Sequence, residues 1–120
     1  MDTRFDITIY HNPRCSNSRG ALAFIQDAGF TPVVIDYLQT PPSRERLVEL
    51  LHEAGLTAAE LVRSKEPLFT ELGLGSADDT RLIDAMLAHP VLINRPLVVT
   101  PLGTRLCRPP ERVKEILPPA

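Results

Sequence analysis

Cysteine is scarce in this chain and long apolar runs are missing, and each shortage narrows what the protein is. Only Cys15 and Cys107 occur in 120 residues, too few and too far apart for a disulfide-stapled scaffold, so a reducing, cytoplasmic setting is expected. No hydrophobic stretch approaches the roughly 20 residues that span a bilayer. The first residues, Met1-Asp2-Thr3-Arg4-Phe5-Asp6, lack the apolar core of a secretion signal. Neither sign of charge dominates: 13 Lys and Arg stand against 15 Asp and Glu, a net charge of −2. Nothing in that balance points to nucleic acid or an anionic membrane as a general partner. His52 and His89 fall on predicted helices without acidic or cysteine partners at ligand spacing, so surface positions and no bound metal are expected.

What is present fits one domain of ordinary size, with 43% hydrophobic and 23% charged residues. Twelve prolines are many for this length, and most fall where elements should end. Ile7 to Tyr10 and Val33 to Tyr37 read as short strands. Between them Ser18 to Ala28 reads as a helix, with Leu22, Ile25 and Ala28 on one face and Gly29 as its stop. A strand–helix–strand unit of this length implies a parallel pair with a right-handed crossover. The middle of the chain, about residues 41–90, is helical. Leu47, Leu50, Leu51 and Ala54 repeat at helical spacing before Gly55, and Thr57-Ala58-Ala59-Glu60 has the form of a capping box. Pro67 to Leu72 makes a short turn closed by Gly73, and Arg81 to His89 a helix halted by Pro90. Leu97 to Thr100 and Thr104 to Cys107 flank the turn Pro101-Leu102-Gly103 and predict an antiparallel hairpin. Pro110 suits the first position of a last helix carrying Val113, Ile116 and Leu117. With the helical middle set aside, the order β-α-β…β-β-α is that of a thioredoxin-like α/β fold, here with an inserted helical segment.

The chemistry concentrates in His11-Asn12-Pro13-Arg14-Cys15-Ser16-Asn17-Ser18-Arg19. Cys15 sits at the mouth of the first helix, where unpaired N–H groups and the positive end of the macrodipole favour thiolate over thiol. Arg14 and Arg19 add positive charge. Ser18 completes a Cys-x-x-Ser motif, and either its hydroxyl or the N–H groups around it are candidates to donate to the sulfur. His11 either supports the thiolate or only orders the loop. The loop is not the Cys-x5-Arg cradle of thiol phosphatases, because the residue six places after Cys15 is Ala21. Cys107, in Arg105-Leu106-Cys107-Arg108, reads as a plain strand residue rather than a resolving thiol. Arg63, Arg95 and Arg108, taken singly, read as surface arginines, although a guanidinium fork matches a tetrahedral oxyanion well. Pro96 lies directly before a strand and is a candidate for a cis peptide, a minority state of roughly 5% among X-Pro bonds.

Ile9-Tyr10-His11-Asn12-Pro13-Arg14-Cys15-Ser16-Asn17-Ser18-Arg19, Tyr37-Leu38-Gln39-Thr40-Pro41-Pro42, Leu92-Ile93-Asn94-Arg95-Pro96 and Val99 to Pro109 together closely resemble the glutaredoxin-coupled arsenate reductase (ArsC) family, from about Ile7 to Leu117. The resemblance implies a single domain over residues 1–120, with a mixed four-stranded sheet. It further implies reduction of arsenate to arsenite through Cys15 as nucleophile, with glutathione as co-substrate, glutaredoxin as partner and no bound cofactor. On the same ground Arg63, Arg95 and Arg108 are the oxyanion-binding arginines, His11 and Ser18 support the thiolate, Pro96 takes the cis-proline position, and Cys107 is not a resolving cysteine. The chain ends at Ala120, short of the longer tail that some members carry. Two alternatives stand beside this reading. One is a related thiol oxidoreductase acting on another, for instance glutathione-linked, substrate. The other is an Spx-like regulator of RNA polymerase, a group that usually presents Cys-x-x-Cys where this chain has Ser18.

Overall fold

Four short segments that pair into one sheet organise the first of two units in the computed structural model, which describes residues 6–119. This unit draws on residues 6–40 and 95–119; the second is Pro41–Asn94. The strands are β1 (Thr8–His11), β2 (Val33–Asp36), β3 (Leu97–Thr100) and β4 (Gly103–Leu106), in the spatial order β2-β1-β3-β4. β1 runs parallel to β2 and antiparallel to β3, and β3 and β4 form the antiparallel hairpin. The sheet is therefore mixed and four-stranded, as the thioredoxin-like reading requires. Ile9 pairs with Val34 on one side and Val98 on the other. Ile7, Ile9 and Val98 are wholly buried in one cluster with Ala21, Ile25, Cys107, Val113 and Ile116.

The helix α1 (Ser16–Asp27) links the parallel strands and turns Ser18, Ala21 and Ile25 inward at the three- and four-residue spacing of a buried stripe. Leu22 and Ala28, expected at the centre of that face, lie partly buried at its margin. Gly29, at φ 91°, ends the helix by donating to the Gln26 carbonyl. The last segment departs from expectation. Pro110–Glu115 is a 3-10 helix, and Ile116 and Leu117 follow it rather than ride on it. A three-residue period aligns Val113 with Ile116, and both enter the core. The Thr100 hydroxyl donates to the Ile116 carbonyl at 2.5 Å, which fixes the chain where an α-helix would have continued.

In the second unit, α2 (Arg44–Ala54) starts at Ser43, whose hydroxyl accepts from the Arg46 N–H, and ends at Gly55 in the left-handed region. Its Leu47, Leu50 and Leu51 are buried. Thr57 and Glu60 form the full capping box of α3 (Ala58–Leu61). Pro67 opens α4 (Pro67–Glu71). α5 (Asp79–Ala88) begins two residues earlier than the pattern suggested, because Asp78 caps it. Val62 bridges antiparallel to Ile93. Among the described residues no helix is long and apolar enough to cross a membrane.

Gly20 is the point where α1 receives the last segment of the chain. A Cβ there would lie 3.0 Å from Pro110 Cγ and 3.1 Å from Pro110 Cβ, so the missing side chain lets the Pro110 turn rest on α1. Gly20→Ala gains up to ~1 kcal/mol of helix propensity against an overpacking cost of ~1–3 kcal/mol. A net loss on the order of 1 kcal/mol is expected in urea unfolding; equal or greater stability than the parent would show that the turn yields freely.

Candidate active site

Backbone geometry sets the site. Cys15 is the N-cap of α1, in extended conformation, and its carbonyl accepts the first helical hydrogen bond from the Arg19 N–H. No side chain closes this cap, so the N–H groups of Asn17 and Ser18 stay directed at the Cys15 sulfur. Burial pushes the Cys15 thiol up, but these N–H groups, with the Arg95 and Arg108 guanidinium groups, outweigh it and hold the pKa below its ordinary value of 9.0. Thiolate is favoured by donors that come from both ends of the chain.

Arg95 and Arg108 reach the sulfur because the hairpin presents them side by side. The Cys107 N–H donates to the Pro96 carbonyl at 2.9 Å, tying the end of β4 to the start of β3. Arg108 Nη1 then donates to the Arg95 carbonyl at 2.8 Å and lies 3.8 Å from Cys15 Sγ. The Arg95–Pro96 bond is cis, as its position suggested; Arg108–Pro109 is also cis, which no sequence feature indicated. Arg63 belongs to the second unit. There its N–H donates to the Leu92 carbonyl, and its side chain pairs with Glu66 at 3.7 Å and donates to Asn94 Oδ1 at 3.4 Å.

His11 and Ser18 form a buried relay. The Asn12 N–H donates to Ser18 Oγ at 3.0 Å, and Ser18 Oγ lies 2.8 Å from His11 Nδ1. Ser18 Oγ thus links the Asn12 N–H to the imidazole, and the tautomer of His11 sets which of Oγ and Nδ1 donates. Ser18 therefore serves the sulfur through its N–H and the loop through its hydroxyl. Burial is the largest influence on His11 and lowers its pKa from 6.5; nearby Asp36 opposes this and Arg19 adds to it. Asn12, which the sequence pattern did not single out, is a hub of the loop. Its carbonyl accepts from the Cys15 N–H at 3.0 Å and its Oδ1 from the Arg14 N–H at 3.0 Å. The Asn12-Pro13 dipeptide is the turn signal that could have found it. Asn17, equally unmarked, carries no comparable signal, since its partner is Arg108.

Cys107 is wholly buried, and burial raises its pKa to about 12. Neither cysteine is in a disulfide. His52 is exposed and His89 half-buried.

Fold and site together define a thioredoxin-like domain with one activated thiolate set against two guanidinium groups. The ArsC family matches residues 10–116, and the chain belongs to that family. It is 57% identical over 114 residues to an arsenate reductase of Rhizobium meliloti (strain 1021), covering 93% of this chain and 81% of the relative. It is 55% identical over 117 residues to an arsenate reductase of Escherichia coli (strain K12), covering 96% and 83%. Among solved structures, a putative arsenate reductase from Yersinia pestis superposes with a TM-score of 0.87 at 49% identity, covering 92% of this chain and all of the other. An arsenate reductase from Vibrio cholerae also superposes with a TM-score of 0.87, at 47% identity, covering 92% and 97%.

A histidine whose pKa is lower in the folded than in the unfolded chain contributes fully above the unfolded value near 6.5. That contribution is lost as pH falls through the lower folded value. Urea midpoints measured from about pH 7.5 down to about pH 5 should fall less steeply in His11→Gln than in the parent. An unchanged slope would place the acid sensitivity elsewhere.

Proposed function

We propose that the protein is an arsenate reductase that uses one cysteine of its own and draws electrons from glutathione and glutaredoxin. The observation that carries this reading is the pairing of a thiolate-stabilising helix start with Arg95 and Arg108, while the second cysteine is buried and protonated. The Cys15 thiolate attacks arsenic(V), forming an S–As bond as an oxygen ligand leaves as water. A glutathione thiolate then attacks Cys15 Sγ. The S–As electron pair passes to arsenic, arsenite is released, and a Cys15–glutathione disulfide remains. Glutaredoxin attacks the glutathione sulfur, carries glutathione away and returns Cys15 as thiolate.

Each protein group has a role in these steps. Arg95 and Arg108 hold the oxyanion and offset the repulsion between two anions at the moment of attack. The α1 N–H groups keep sulfur ionised both as nucleophile and as leaving group. His11 and Ser18 support the thiolate by fixing the loop that carries those N–H groups. The family resemblance alone assigns Arg63 as the third oxyanion-binding arginine. No bound cofactor or metal takes part, the partners are arsenate, glutathione and glutaredoxin, and the reducing cytoplasm provides the thiols.

Arsenate-dependent NADPH consumption, coupled through glutathione, glutathione reductase and glutaredoxin, tests this directly. Cys15→Ser is expected to abolish turnover, and Cys107→Ser to retain most of it. Arg63→Ala is expected to raise KM for arsenate about 10- to 100-fold, the range for losing one charge-assisted hydrogen bond. No turnover by the parent at millimolar arsenate, or equal loss in both cysteine variants, would overturn the proposal.

A further inference from the structure

The N-terminal turn of α1 contains a side chain with no part in the reaction steps. Asn17 is half-buried at the second position of the helix, and asparagine is a poor helix former because its amide competes for nearby backbone groups. It turns instead to Arg108. With the amide oxygen facing inward, Oδ1 accepts from Arg108 Nη1 and Nη2, both at 3.2 Å. The opposite orientation would set amide N–H groups against guanidinium N–H groups, so hydrogen bonding selects the oxygen-inward one.

A guanidinium is a rigid plane of five N–H donors, with a terminal edge (Nη1 and Nη2) and a side edge (Nε and one Nη). Asn17 occupies the terminal edge. Nη1 also donates to the Arg95 carbonyl at 2.8 Å. Two acceptors from different elements, the start of α1 and the residue before β3, thus fix both the position and the tilt of the plane. The same Nη1 lies 3.8 Å from Cys15 Sγ, so the plane held by these two acceptors faces the sulfur.

We propose that Asn17 is a positioning residue, whose side-chain carbonyl grips Nη1 and Nη2 of Arg108 so that the guanidinium stays turned toward Cys15 and a tetrahedral oxyanion held there. The inference rests on the proposed oxyanion chemistry and deepens it. The backbone N–H of Asn17 faces the sulfur and its side chain holds the arginine, so one residue couples the nucleophile to the anion clamp. A neutral acceptor suits this task. A carboxylate would grip the guanidinium harder, but it would set a negative charge beside both the thiolate and the incoming anion.

The test uses Asn17→Ala, Arg108→Ala and the double variant, each checked for a parental unfolding midpoint. Two readouts on Cys15 are measured: the pH profile of iodoacetamide alkylation, to which buried Cys107 does not contribute, and protection from alkylation by arsenate or sulfate. Asn17→Ala is expected to need about tenfold more anion for half-protection, the effect of losing the placement of one charge-assisted contact. It should also shift the alkylation profile upward, in the same direction as Arg108→Ala. In the Arg108→Ala background, Asn17→Ala should change neither readout, because it acts through that arginine. Parental behaviour of Asn17→Ala, or effects that simply add to those of Arg108→Ala, would overturn the proposal. If arsenate protects no variant, the arsenate reading fails; sulfate protection and the alkylation profile then still decide the role of Asn17.

Discussion

The site depends on a single crossing of the chain: the Arg108 guanidinium, carried just past β4, reaching the open end of α1. Through this one group the hairpin is fastened to the helix start by way of the Arg95 carbonyl, the Asn17 amide and the Cys15 sulfur. Remove it, and the sulfur keeps its helix N–H groups and Arg95 but loses one of its two guanidinium neighbours. Packing places the crossing. The Pro110 turn rests on Gly20, and the Thr100 hydroxyl anchors the chain beyond that turn. The chemistry is therefore supported from the apolar side by contacts that touch no substrate.

The thiolate is made by many modest donors rather than one strong one. Two backbone N–H groups and two guanidinium groups act together against the cost of burial. Distributed stabilisation of this kind suits the proposed reading, in which the sulfur serves first as nucleophile and later as leaving group. The imidazole lies one step back. Neutral and hydrogen-bonded to Ser18, it stiffens the loop without adding a charge that would vary near neutral pH.

Local signals carried far. The β-α-β start, the Gly55 stop, the Thr57–Glu60 capping box and Cys15 at a helix mouth each follow from a few adjacent residues, and each is found where those residues put it. Signals that required two distant segments did not show. Asn17 meets Arg108 only after the sheet is assembled, and nothing near either residue announces the other. Ser18 had two plausible donors, and only the position of Asn12 decides that the hydroxyl turns away from sulfur. The final helix looked α-helical because Val113, Ile116 and Leu117 fit the i, i+3, i+4 spacing; Val113 and Ile116 alone also fit a three-residue period, and the anchor at Thr100 goes with the tighter one. Arg95 and Arg108 gained meaning from family likeness first and from geometry second, whereas Arg63 rests on the likeness.

The burial of Cys107 has a mechanical consequence. A thiol that stays protonated is a poor nucleophile, and burial holds the Cys107 thiol in that form. Proteins that resolve their own disulfides internally must bring two sulfurs into contact, which commonly means unwinding or swinging a segment. Here Cys107 is enclosed by the core cluster, whereas Cys15 stands partly exposed at the start of α1.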